Sequence, residues 1–405
     1  MLNEIKLNKY ILFISLIIFF DLNGFYLIDE ATINVKDITL IFEVWFIIYV
    51  YFKNRQKVVY KYKWFILTSL IFVFTSSIMA NVSYSQPIIL GIRPQRSWIV
   101  TLLMYFPLTK LLKLNKVKTN DIIKCIDILN VLYILLGIIQ YFVGVNNAFL
   151  HVLMNERYGE MRLYLTLSFL IISYIYHLSN FLFKKKNRFI DLIFIGLTLF
   201  LLFVVIKGRM RAIVVLAISL IAFANMKFNV KKMVLSICCV FLSVSFLSSN
   251  LGSDILNMVF DPSKSVQNTS EIRDEGRLFY LAEINKTTAS KMFGCGFPNS
   301  DWEQSYVQTR MVDLIYANDN GIFGLMYYYG YSFVVWFAIF MFVLLKRSRN
   351  DQICFIYFIY SFIGIYTLYP EIYTENIAFL IVLALHERNL QNEEFKNSNI
   401  KSTFK

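Results

Sequence analysis

Residues 321–345 read GIFGLMYYYGYSFVVWFAIFMFVLL, twenty-five residues without a charged side chain. A helix of about 20 apolar residues spans the hydrocarbon core of a bilayer, where its backbone satisfies its own hydrogen bonds. The stretch therefore reads as a membrane span, and the pattern recurs on both sides of it. Further apolar runs lie at 10–28, 37–52, 64–82, 97–112, 122–144, 163–183, 189–206, 212–226, 233–250, 352–368 and 375–386. The second of these carries Asp37 and Glu43 and the last is short, so the count is about 12, or about 10 without those two. The 405-residue chain is 57% hydrophobic, with a mean hydropathy of +0.56. So many long runs do not fit inside one water-soluble core. The fold class predicted is all-α: a polytopic integral membrane protein, one membrane domain over 1–405. The run at 10–28 is too long for a signal-peptide core and is followed by no small-residue cleavage pattern, so it reads as the first span.

Immediately before 321–345 the character changes. Residues 251–320 are polar, charged and punctuated by glycine, and they form the one large loop, with short amphipathic helices expected within it. It contains Glu271-Ile-Arg-Asp-Glu-Gly-Arg277 and Phe293-Gly-Cys-Gly-Phe-Pro298. A helix over 272–291 would set Arg273 and Arg277 one turn apart on one face, continued by Leu281 and Ile284.

Lysine-rich connections recur on one side, at 53–63, 110–124, 184–188, 227–232 and 346–349. By the positive-inside rule these face the cytoplasm, with both termini, and the large loop faces out. Under that assignment 21 of 26 lysines lie inside, whereas 9 of 14 arginines lie outside. Topology needs only positive charge on the inner side, and lysine supplies it. Arginine concentrated outside points to another use, since its planar fork grips phosphate in a bidentate manner. The outer arginines are Arg93 and Arg96, Arg157 and Arg162, Arg209 and Arg211, Arg273 and Arg277, and Arg310. A plainer reading has some of them snorkelling or pairing with Glu156, Glu160, Glu271 and Asp274. As a set they suggest an anionic ligand at a membrane surface, of the lipid phosphate or pyrophosphate kind.

Other chemistries find little footing. His151, His177 and His386 stand apart in sequence with no Cys-x-x-Cys partner, which argues against a zinc site, and there is no phosphate-binding Gly-x-x-x-x-Gly-Lys run. No metal and no cofactor is expected. The net charge of +13 is scattered among loops instead of forming a stripe, so nucleic acid is not an expected partner. Of five cysteines only Cys295 falls in the large loop, which leaves no disulfide framework.

Several outer-face motifs together carry a family resemblance. They are Gln86-Pro-Ile-Ile-Leu-Gly-Ile-Arg-Pro-Gln-Arg96, Arg157-Tyr-Gly-Glu-Met-Arg162, Lys207-Gly-Arg-Met-Arg-Ala212, Gly276-Arg277 with Gly294-Cys-Gly296, and Asn318-Asp-Asn-Gly-Ile-Phe-Gly324. In these the chain resembles the Wzy-type O-antigen and capsular polysaccharide polymerases and the related O-antigen ligases. The resemblance implies a metal-independent glycosyltransferase in a bacterial inner or plasma membrane. It would join undecaprenyl-pyrophosphate-linked oligosaccharide repeat units into O-antigen, capsular or exopolysaccharide, alongside a flippase and a chain-length regulator. Ligases of the superfamily usually carry a His-Asn pair where this chain has Asn318-Asp319-Asn320, which favours polymerase over ligase. Asp319 resembles the aspartate found there in many polymerases. As a base it would take the proton of the attacking hydroxyl, and Glu303, Asp313 and His151 are its alternatives. It reads equally as an N-cap of the following helix. Arg277, with the other outer arginines, would stabilise the departing pyrophosphate. A lipid-linked oligosaccharide flippase or other transporter is the reading from another class. Against it stand the lack of a visible repeat and the surface position of the arginines.

Overall fold

The computed structural model describes residues 8–29, 34–157, 160–183, 188–206, 209–224, 267–313, 315–367 and 377–403. Helices dominate, and they lie where the apolar runs are. Over the first half these are α1 (Lys9–Asp21), α2 (Val35–Lys53), α3 (Lys63–Tyr84), α4 (Ile88–Ile92), α5 (Arg96–Lys113), α6 (Thr119–Val143), α7 (Ser168–Phe183), α8 (Arg188–Phe200) and α9 (Arg209–Ala224). The second half adds α10 (Gln267–Ile284), α11 (Thr288–Phe293), α12 (Glu303–Gln308), α13 (Ile322–Arg347), α14 (Gln352–Thr367) and α15 (Ala378–Thr403). Among the described residues three helices are long and apolar enough to cross a membrane: Lys63–Tyr84, Thr119–Val143 and Ile322–Arg347. The segments 168–183, 189–205, 214–224 and 352–364 are apolar but shorter. The run at 233–250 lies outside the described residues.

Seven helices close into a ring, α1 on α2, α2 on α5, α5 on α15, α15 on α14, α14 on α7, α7 on α6 and α6 back on α1. Helix α3 packs outside it on α5 and α13, while α8 and α9 flank α7. The charges that make α2 a poor span both find partners on α5: Glu43 is 1% exposed and both its carboxylate oxygens accept from Thr101 Oγ1 at 3.1 Å, and the half-exposed Asp37 pairs with Arg96. A carboxylate unpaired in hydrocarbon would be prohibitive, so α2 needs α5 beside it.

Three features differ from the sequence reading. The first apolar run is not one helix, because α1 ends at Asp21 and residues 23–26 turn with φ between 52° and 59°. The pair Asn23-Gly24 is a turn signal, and the buried Tyr26 secures it, its hydroxyl 3.0 Å from Thr166 Oγ1 and its carbonyl accepting from the His151 amide at 2.7 Å. The start of the run at 163–183 is a strand. Strands β1 (Met154–Arg157) and β2 (Glu160–Leu163) pair antiparallel, Met154 opposite Leu163. Finally, the helix expected over 272–291 stops at Ile284, and α11 restarts with a Thr287/Ser290 capping box. Its buried stripe is Gly276, Tyr280 and Ile284, with Arg277 beside it and Arg273 exposed.

Candidate functional site

Residues 293–302 are threaded between α3 and α13, and glycine makes this possible. A Cβ on Gly296 would sit 2.1 Å from the Ala80 amide nitrogen, and one on Gly294 2.6 Å from the Tyr328–Tyr329 backbone; φ is +93° and +78° at the two positions. Only glycine takes both the positive φ and the close approach. Gly330, which breaks α13 with φ +76°, meets the same strand of chain from the other side, its missing Cβ 2.3 Å from Met292 O. Between them Cys295 is 5% exposed, and its amide donates to Tyr327 O at 2.7 Å. Burial is the main cause that pushes its thiol up to about 12. A motif that suggests only a tight turn is thus a docking point.

Gln86 joins this turn to the early arginine loop. Fully buried, it accepts from the Asn299 amide at 2.8 Å through Oε1 and donates through Nε2 to Phe297 O at 3.2 Å. Asn299 Nδ2 reaches Leu90 O at 2.9 Å, and Trp302 Nε1 reaches Tyr84 O at 3.1 Å. Gln95 is held by Tyr329 OH at 2.7 Å and by Gly91 O at 2.8 Å. Two motifs over two hundred residues apart are therefore one surface.

The arginines on that surface mostly meet carboxylates. Arg96 pairs with Asp37 at 2.5 Å and Arg93 approaches Asp301 at 3.4 Å, both pairs well exposed. Arg277 pairs with Asp274 at 2.9 Å, one turn away. Arg310 is bonded to Asp313 at 2.8 Å and to Glu275 at 2.6 Å, and those two raise its pKa above the ordinary guanidinium value. Of the acids anticipated as partners, Asp274 takes that role; the side chains of Glu156, Glu160 and Glu271 are outside the described residues. Arg162 belongs to a separate neighbourhood: its Nε donates to Ile206 O at 2.8 Å, tying β2 to the chain entering α9, and it lies 4.1 Å over the Tyr164 ring. Arg209 and Arg211 start α9 and Arg157 ends β1, but their side chains are not among those described. Arg273 is exposed, with no ion pair among the described residues.

At a further seam α10 meets the short 3-10 turn Ala317–Asn320 and helix α13. Gly276 lies flush on it, its missing Cβ 2.9 Å from Asn320 Nδ2. Arg277 sits 5.9 Å over the Phe323 ring, and its Nε, like Asn320 Oδ1, is buried with no hydrogen-bond partner among the described residues. The seam thus brings two buried polar atoms together, one a donor and one an acceptor. Asp319 lies in the backbone of this turn, its side chain outside the description. The cap position of α13 is Gly321, two residues later, so the N-cap role does not fall to Asp319. Glu303 and His151 are exposed elsewhere, and Asp313 is engaged by Arg310.

Two buried polar clusters escape sequence reading. His177 Nδ1 lies 2.7 Å from Asp191 Oδ1, with Asp127 3.7 Å from the other ring nitrogen and Ser173 donating to Asp127 at 2.6 Å. Fully buried Glu387 accepts from Tyr105 OH, Lys113 Nζ at 2.5 Å and the Lys61 amide at 2.9 Å, binding α15 to α5. Asp191 and His177 come from consecutive helices, and Glu387 meets partners some three hundred residues away. No family model matches the chain, and no curated protein matches it.

Proposed function

We propose that the protein is a polytopic membrane glycosyltransferase of about 12 spans that polymerises undecaprenyl-pyrophosphate-linked oligosaccharide repeat units on the outer membrane face. What carries the reading is the seam at Arg277: a guanidinium with one nitrogen unpaired and buried, beside Asn320 and the 317–320 turn, at the mouth of an apolar helix. A lipid-borne substrate would lie alongside α13 and bring its pyrophosphate to that level. Arg277 and Arg273 would hold the phosphate oxygens and stabilise the charge that grows as the sugar–phosphate bond breaks. Asp319 would take the proton from the attacking sugar hydroxyl. Arg93 and Arg96 would extend the anionic surface, since their carboxylate partners are exposed and exchange readily for phosphate. Arg157, Arg162, Arg209 and Arg211 would serve the lipid carrier from the hairpin side. Under this reading the termini face the cytoplasm.

Deleting the gene from its host should abolish the polymer ladder and leave lipid-linked single units, and restoring it should return the ladder. An unchanged ladder would sink the proposal. Reporter fusions at Lys186 and Lys286 should read opposite sides of the membrane, and the same side at both would remove the topology on which it rests. A second reading, transport, draws on the Asp127–His177–Asp191 cluster, because ionisable groups buried among apolar helices are a mark of proton-coupled carriers. It requires that the deletion strain accumulate single units on the inner leaflet, whereas a polymerase defect leaves them outside.

A further inference from the structure

At the other end of α13, about 39 Å away along the helix, a second cluster forms that spacing along the chain conceals. Asp351 precedes α14 and accepts from the Cys354 amide at 3.3 Å; His386 comes from α15, which packs on α14. The carboxylate, the thiol and the imidazole each offer one ligand atom, and the three atoms lie within 4.8 Å of one another. His386 is 1% exposed and Cys354 3%. Among the described residues Nε2 of His386 has no hydrogen-bond partner, and Nδ1 faces only the Asp351 carboxylate, at 3.8 Å, too long for a good hydrogen bond. A fully buried imidazole so poorly satisfied leaves a ring nitrogen free to ligate.

We infer that Asp351, Cys354 and His386 form a site for one zinc-class divalent cation, clipping α15 to the α13–α14 turn. The donor set is one nitrogen, one sulfur and one oxygen, the mixture that zinc takes and that magnesium and calcium avoid. Bonds of about 2.0–2.3 Å place tetrahedral ligand atoms about 3.3–3.8 Å apart, so the cluster needs to close by about one ångström. Its surroundings already orient the ligands. Asn389 Nδ2 donates to Asp351 Oδ2 at 2.7 Å, the kind of outer bond that sets a ligating carboxylate. The His386 ring is fixed between Tyr62, stacked at 6.2 Å, and Phe358, edge-on at 5.6 Å. A cavity of about 390 Å³, its lining mixed polar and apolar and including Asp351, Asn389, Glu393, Phe183 and Ile353, opens beside Asp351 and would give an entry path and room for a water at the fourth position. This inference is independent of the polymerase reading, because the cation stands far from the arginine seam.

The test uses full-length protein in detergent, stripped with chelator and titrated with cobalt(II). One equivalent should bind per chain with a thiolate-to-cobalt charge-transfer band. That band should vanish in Cys354→Ser, weaken at least tenfold in affinity in His386→Ala, and persist in the Cys238→Ser/Cys239→Ser double variant. Zinc-edge absorption of that double variant, whose proposed ligands are intact, should show one sulfur at about 2.3 Å and lighter atoms at about 2.0–2.1 Å. It keeps the inference exposed even if Cys354→Ser fails to fold. A shell of nitrogen and oxygen alone, or a band that survives Cys354→Ser, overturns the site.

Discussion

Gln86→Leu isolates the joint between the two outer motifs. Leucine keeps much of the volume but removes both bonds, so the Asn299 amide loses its acceptor and the Phe297 carbonyl its donor. The buried Asn299 amide left unpaired costs about 1–3 kcal/mol. That cost falls on the docked state alone, since water satisfies the amide once residues 293–302 lift away. At about 1.4 kcal/mol per factor of ten, the undocked population should rise by roughly 5- to 100-fold. Cys295 reports it. While docked, the thiol is buried and its pKa held near 12, so almost no thiolate is present at neutral pH. Undocked, it returns to about 8.5 and reacts. The assay is the rate at which a membrane-impermeant maleimide labels Cys295 in intact cells, with Cys125, Cys238 and Cys239 replaced by serine and the buried Cys354 left in place. Labelling of Gln86→Leu should be at least about five times faster than that of the parent. Equal rates would refute the reasoning that Gln86 holds the loop down. Labelling only after the membrane is opened would place the loop on the inner side.

Arg277→Lys keeps the charge but loses the fork, and at about 1.5–3 kcal/mol for a charge-assisted bond polymer synthesis should fall roughly 10- to 100-fold at unchanged protein level; wild-type output on a polymer gel refutes a role for its geometry. Asp319→Asn should leave the protein in the membrane and able to bind lipid-linked unit yet stalled at single-unit product, and a normal ladder would return the search for the base to Glu303. Gly324→Ala places a Cβ 1.9 Å from Ala317 O and should cut the yield of folded protein severely, whereas Gly196→Ala, with open space around it, should raise stability by about 0.5–1 kcal/mol; equal melting temperatures for the two would discredit the packing of the 317–320 turn on α13.

Much of the fold was legible from the chain alone because helix formation in apolar runs is local. Residues 63–84, 119–143 and 322–347 announce themselves by length and by an apolar stretch with few charges, whatever surrounds them. The turn at Asn23-Gly24 was signalled too, by a turn dipeptide, but the long apolar run around it masked that signal. Arg277 was legible as a candidate from its spacing with Arg273. Its neighbours were not, since periodicity says which face a residue occupies and nothing about what that face meets. Gln86 reads as an ordinary loop glutamine until Asn299 arrives opposite it. Asp274, three residues from Arg277 on one helix, was legible as its partner, but Asp301 and Asp37 became arginine partners because folding set them within reach, and a pairing energy of a few tenths to about 1 kcal/mol leaves no trace in composition. Glu387 with Lys113, His177 with Asp191, and His386 with Asp351 and Cys354 follow the same rule. A buried polar group must be satisfied by whatever the packing brings to it, so the sequence by itself determined the helices, and only the tertiary structure decided which polar side chains share an interior.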